Sequence, residues 1–328
     1  WNASRYVIKN THAGKNCGVP FPCLSQFRAS SVPGKWILSR LAHAVKSSNH
    51  GFETFDLSLC TQAVRSFFLN DFCNVYLEVT KPYFKDEWND SHGKAEAQNI
   101  LRLCLETTLK MLHPFGPYIT EDLWGLLHCD KKYHVPSIMI SPYPSIQMTS
   151  IHCDQKCEEE MQYILDVSRA LRSLQSLAIS VGAEITESSV FLAIGCGNSR
   201  ASMRQSMPWV QILSFAPVTI DVKGLESVSG KCALQSIIKD DCVACIVINA
   251  PNEIIGAKVG KELKRLRSKQ TKYLGQVSEL SSRMKTLKYL NKVPESIQKH
   301  DKSRLLVLQQ KLNDTSNMLN TLGSFQHF

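Results

Sequence analysis

The stretch that decides the fold is residues 97–127, AQNILRLCLETTLKMLHPFGPYITEDLWGLL. Ile100, Leu101, Cys104, Leu105, Thr108, Leu109, Met111 and Leu112 recur at helical spacing and cover more than one face. A helix apolar over so much of its circumference has to be enclosed by others, so it reads as the central rod of a bundle. His113-Pro114-Phe115-Gly116-Pro117 stops it, because proline disfavours a helical residue before it and donates no backbone hydrogen bond. Thr120 is placed to cap the next helix, with Glu121 and Asp122 against the positive end of its dipole. Leu123, Trp124, Leu126 and Leu127 then turn that helix back onto the core.

Upstream, residues 1–10 read as a short helical or turn-like lead, and the Gly/Pro/Ser-rich residues 11–34 as a loop. A helix over 35–48 buries Trp36, Leu38, Leu41 and Val45. Asp56 is the N-cap expected for a helix running to about 82, with Leu59, Ala63, Phe67, Phe72, Tyr76 and Val79 inward. Downstream, 137–144 reads as a strand and tail, and 154–177 as a helix. Strands follow over 190–194, 218–222 and 243–249, with a helix over 203–213 among them.

The last 70 residues have a different character. Leu263, Leu266, Gln270, Tyr273, Val277, Leu280, Met284 and Leu287 alternate steps of three and four, as do Leu305, Leu308, Leu312, Thr315, Leu319 and Leu322. Both are heptad seams. The break between them carries Pro294, which can start a helix, followed by Glu295, which suits a first turn. Two seams so close must fold back into an antiparallel hairpin about 40 Å long at 1.5 Å per residue.

Charge singles out the same segment. Between Lys258 and Phe328 stand 15 Lys/Arg and 5 Asp/Glu, so the chain's net +9 resides here and the remainder carries −1. Like charges along a rod repel, and a polyanion partner explains them better than stability does. Few aromatics interleave, which favours shape-and-phosphate contact with folded RNA over stacking on single-stranded bases. Lys261, Lys264, Arg265, Lys272, Arg283, Lys285, Lys288 and Arg304 are the candidate contacts.

Other chemistry is not indicated. The twelve cysteines include Cys242-x-x-Cys245, but that pair sits in the buried-strand pattern CVACIVI without a second pair. No metal site is expected, and the cysteines read as reduced intracellular thiols. There is no P-loop, no GxGxxG and no plausible Ser/His/Asp set; His113 reads as packing or capping, and no catalytic residue is nominated. No apolar run reaches the roughly 18–20 residues that span a bilayer, so no membrane partner is expected.

Several of these segments resemble one family. Leu112–Trp124, LHPFGPYITEDLW, is similar to the L-x-P-F-x-P-[FY]-[IVL]-[TS]-E-E-L-[FW] segment that ends the anticodon-binding bundle of class I aminoacyl-tRNA synthetases, with Asp122 for the second Glu. WNASR at 1–5, KWILSRL at 35–41 and FFLNDFCNVYLEVTKP at 67–82 also resemble it, with Asn74 where the family has Asp. SIMISPYP at 137–144 and the R-x-[LI]-R-like residues Arg169 and Arg172 extend the likeness. KVPESIQKHDKSRLLVLQQKL at 292–312 resembles the C-terminal arm of the valine–tRNA ligases, which separates them from the leucine and isoleucine enzymes.

The resemblance implies a mostly α chain. An anticodon-binding bundle occupies 1–135, a connecting helix and small α/β unit 136–255, and a basic coiled-coil arm 256–328, resting on the outer corner of a valine tRNA. It implies Asn2, Arg5 and Asn74 at the anticodon end, and a parent enzyme using ATP and Mg²⁺, with no cofactor in this chain. HIGH-like and KMSKS-like motifs do not occur, so the chain is expected to be a fragment, inactive alone and partnered by a missing catalytic domain. Cytoplasmic placement is expected, with the mitochondrial matrix as alternative. A stand-alone RNA-binding module and a coiled-coil interaction protein are the alternative functions.

Overall fold

The computed structural model describes residues 1–12, 24–85, 88–128, 136–182, 190–194, 197–215, 217–221, 233–239, 242–247, 252–286, 289 and 293–325. The fold is mostly α, and the chain divides into two compact units, Trp1–Ile164 and Leu165–Phe328.

The first unit is a helical bundle. Its helices are α1 (Asn2–His12), α2 (Val32–Glu53), α3 (Leu57–Ser66), α4 (Leu77–Phe84), α5 (Ser91–Leu112), α6 (Pro117–Leu127) and the short α7 (Ile146–Thr149), and it includes the start of α8 (Gln155–Ser180). α5 is the rod, touched by α1, α2, α3, α4 and α6. Ile100, Leu101, Cys104, Leu105 and Met111 have no exposed surface at all. The start of α2 is fixed against α5 by a clasp. Ser31 caps α2 by accepting from Gly34 N, and the backbone N–H groups of Ser30 and Ser31 donate to the buried Glu96 carboxylate at 2.7 and 3.1 Å. Both serine hydroxyls donate to the same carboxylate. Gly34 is required here: a Cβ would stand 2.8 Å from Ile100 Cδ1 and 2.9 Å from Glu96 Oε1.

Several expectations need correcting in this unit. Thr120 is not a cap: α6 begins at Pro117, whose missing N–H costs nothing in a first turn, with Gly116 as N-cap. Thr120 is buried one turn in, its hydroxyl donating to Gly116 O at 2.7 Å and lying 2.7 Å from His113 Nδ1. Leu126 faces away from the core, 46% exposed, because Thr120, Leu123, Trp124 and Leu127 form the inward stripe. The helix from 57 to 84 is interrupted by a π-helical run over Phe67–Tyr76. Its wider turn rotates the inner face, so Cys60 and Val64 are buried before it rather than Leu59 and Ala63. Residues 137–144 form a 3₁₀ turn at Ile138–Ile140, not a strand: Met139 and Ile140 are 71% and 69% exposed and have no sheet beside them.

The second unit combines a four-stranded sheet with helices. β1 (Val190–Ile194) pairs in parallel with β2 (Thr219–Asp221), and α9 (Gly197–Ser214) makes the crossover that parallel neighbours need. β4 (Cys242–Val247) lies antiparallel between β1 and β3 (Ala233–Lys239), giving the order β2-β1-β4-β3. Cys242 and Cys245 are fully buried in the central strand, as its apolar run required. β3 had not been anticipated. From the sheet the chain enters α10 (Asn252–Met284) and returns in α11 (Glu295–Phe325), the two long helices of the hairpin.

Candidate nucleic-acid interface

The hairpin closes along the expected seams. Leu263, Leu266, Leu280, Thr315 and Leu322 are buried, and Gln270 Nε2 donates across to Ser316 Oγ at 3.0 Å. Its tip is locked by polar groups. The buried Asp301 carboxylate accepts from Tyr289 Oη at 2.7 Å and from the Arg283 guanidinium, whose plane also lies 5.7 Å from the Tyr289 ring. The Tyr289 hydrogen bond, together with the guanidinium, holds the Asp301 carboxyl below its ordinary range.

With the seam turned inward, the basic residues are left outside. Lys258, Lys261, Arg265, Lys269 and Lys272 step by three, four, four and three along one side of α10, all exposed. Lys264, Lys285 and Arg304 are exposed as well. Among the described residues, Lys261, Lys264, Lys272, Lys285 and Arg304 have no acidic partner. Two of the nominated residues do have one: Arg265 pairs with Glu262 one turn before it, and Arg283 serves the tip, although both guanidinium groups stay more than half exposed. Lys288 lies outside the described residues. The arrangement is an ordered rod of cationic donors, and sequence periodicity located it.

The first unit treats its charges differently. Arg40 is 3.0 Å from Asp71 and also reaches Glu158; Lys81 and Lys110 sit 2.6 Å from Glu78 and Glu106. Asn2 and Arg5 are exposed on α1 and Asn74 on the π-helical run. Among the described residues no hydrogen bond joins Asn74 to the other two. Sequence reasoning missed a mostly apolar cavity of about 260 Å³, lined by Trp1, Arg65, Phe68, Leu69 and Ile119 among others. Its signal is exposed apolar bulk, with Trp1 at 61% and Leu69 at 44%, which helical periodicity alone does not separate from core.

No group of three His, Cys, Asp or Glu side chains is placed to hold a metal ion among the described residues. Among them, too, no helix is long and apolar enough to cross a membrane.

Comparison with known proteins follows the same two regions. Residues 34–186 match the family described as the anticodon-binding domain of tRNA ligase. Over 95% of its length the chain is 27% identical to the valine–tRNA ligase of Takifugu rubripes, and over the same share 28% identical to that of Homo sapiens. It is 29% identical to the valine–tRNA ligase of Lactiplantibacillus plantarum, again over 95%. Along nearly its whole length, then, the chain is similar to valine–tRNA ligases. It spans 25%, 24% and 32% of those three relatives, about a quarter to a third of a valine–tRNA ligase. The matched portion takes in both the bundle and the hairpin.

Proposed function

We propose that this chain is the tRNA-binding portion of a valine–tRNA ligase whose whole joins valine to its tRNA with ATP and Mg²⁺. The observation that carries the reading is the rod of exposed cations on α10, of which Lys261, Lys264 and Lys272 have no acidic partner among the described residues, in a chain that also has an anticodon-binding domain. Phosphates are the polyanion such a rod suits, and Lys and Arg on phosphates give affinity with little sequence selectivity. On this reading the hairpin holds the corner of the L through Lys261, Lys264, Arg265, Lys272, Lys285, Lys288 and Arg304, with Arg283 contributing its free edge. The bundle engages the anticodon end near Asn2, Arg5 and Asn74. Adenylate formation falls to a catalytic domain with the HIGH-like and KMSKS-like motifs that this sequence lacks, and that domain is the chain's protein partner. We place the protein in the cytoplasm, where the described cysteines stay as thiols.

The test is binding of the 328-residue chain to valine tRNA and to leucine tRNA across a salt series. Preference for valine tRNA with a steep salt slope is expected. Lys264→Gln with Lys285→Gln weakens both tRNAs alike and lowers the slope by about two. Absence of binding at low salt overturns the RNA reading and favours a protein partner on the hairpin instead.

A further inference from the structure

We infer that the root of the hairpin carries a second RNA contact, a groove between α8 and the hairpin that takes the phosphodiester backbone. The inference rests on the RNA-binding reading above and extends the contact from the α10 stripe onto α8. Two cavities of about 540 and 250 Å³ adjoin here, sharing Asp314 and Met318 in their walls. One wall is a single face of α8, where Arg169, Ser173, Ser176 and Ser180 step by four, three and four. In the smaller cavity the opposite wall is the hairpin's own, with Arg265 and Lys269 from α10 and Lys311 from α11; in the larger one β3 joins α11, with Ser236 and Ile237. From Asp166 to Ser180 the α8 wall runs about 21 Å at 1.5 Å per residue, enough for several nucleotides and too long for a single small anion.

The lining has the chemistry of a backbone site. Five cations, Arg169, Arg172, Arg265, Lys269 and Lys311, stand against three carboxylates. Two of those carboxylates are already matched: Asp166 accepts from Arg169 at 2.9 Å and Glu262 from Arg265. Each pair orients its guanidinium and leaves other N–H donors open. Among the described residues Arg172, Lys269 and Lys311 make no ion pair. The serine hydroxyls on α8 suit phosphate oxygens and ribose 2′-hydroxyls. Arg265 and Lys269 also belong to the cationic stripe along α10, so the groove and the stripe form one continuous basic track. Among the described residues Asp314 is the lining carboxylate without a cation, and it opposes the anion.

The experiment is valine-tRNA binding by the full 328-residue chain in a salt series. Arg172→Gln with Lys311→Gln is expected to lower affinity about tenfold and the salt slope by about two. Lys46→Gln, exposed on α2, leaves both unchanged. Asp314→Asn, which removes the opposing charge, raises affinity a few-fold. A photo-crosslinker attached at Ser176→Cys is expected to yield a tRNA adduct, a readout independent of the stability of the charge variants. Retained tRNA binding with an unchanged slope in Arg172→Gln/Lys311→Gln overturns the groove and leaves the arm reading standing, as does the absence of an adduct. Absence of tRNA binding by the unsubstituted chain overturns both.

Discussion

The bundle and the hairpin are both helical, yet they place their energy in opposite parts of the molecule. In the bundle, Trp124, Phe67, Phe72, Ile37 and Leu41 are sealed from solvent, and the cations cited above sit on acids. In the hairpin the seam is one residue deep: Leu305, Leu308 and Leu312 remain partly exposed, and cations accumulate unmatched. A bundle has room to bury whole side chains, whereas a two-helix rod hides only a stripe and holds its ends with polar locks such as Asp301. The first is a scaffold that sets positions. The second carries like charges along one rod, where they repel one another. The largest expected effect follows from this contrast. Trp124→Ala removes a fully buried indole and costs about 3–5 kcal/mol, whereas Leu308→Ala on the half-open seam costs about 1 kcal/mol. Chemical denaturation of the two variants checks the ratio, and equal losses would mean that the hairpin has a core of its own.

A smaller effect separates the regions by pH. Burial pushes the Glu96 carboxyl upward, but the donors from Ser30 and Ser31 outweigh it and the net shift is below the ordinary carboxylate range. A carboxylate held lower in the folded than in the unfolded chain stabilises fully above its unfolded pKa. That stabilisation is lost as pH falls through the folded value. Glu96→Gln keeps the shape, loses the charge-assisted bonds and is expected to cost about 2 kcal/mol at neutral pH. The loss should shrink below pH 4, and thermal melts of the two proteins should converge there. Asp301, also lowered, has the same sign, so Asp301→Asn loosens the hairpin tip at neutral pH. Amide exchange resolves this variant, because protection is lost around Tyr289 and not in α5.

How much of this was legible in the sequence depended on how many neighbours an element needs. The rod α5, the cap at Asp56 and the helical hairpin are written in local spacing; of the seam positions Leu263, Leu266, Leu280, Thr315 and Leu322 are buried, and Leu287 lies outside the described residues. The shift at the π-helical run was hidden because Phe67, Phe72 and Tyr76 fit either register; their ring-on-ring packing, 6.2 and 6.5 Å between centroids, decides it. β3 was hidden because an edge strand buries little: Leu234 is sealed, but Ile237 is 78% exposed, so alternation is weak. At the interface, the cations of α10 announced themselves by charge. The groove beside α8 did not, since Arg172 and Lys311 lie 139 positions apart and only the fold brings them to adjoining cavities.

The smallest effect is one that the bundle shares with the sheet-bearing part of the second unit. Phe55, between α2 and α3, and Phe215, after α9, both have φ of 57°, a left-handed conformation that bulky side chains rarely adopt. Both rings are in solvent, at 91% and 68% exposure, so burial does not compensate the backbone strain. The left-handed conformation costs about 1–2 kcal/mol, and asparagine tolerates it through local hydrogen bonding. Phe55→Asn and Phe215→Asn are each expected to raise stability by about 0.5–1 kcal/mol, measurable as a rise in Tm. An exposed aromatic kept at a strained position is also a contact group in waiting. If Phe55→Asn stabilises the bundle and leaves tRNA affinity intact, the strain is simply the geometry of a tight helix–helix turn. If it stabilises the bundle while weakening tRNA binding, Phe55 is a contact that composition could not reveal, and the scaffold would share the recognition now assigned to the hairpin.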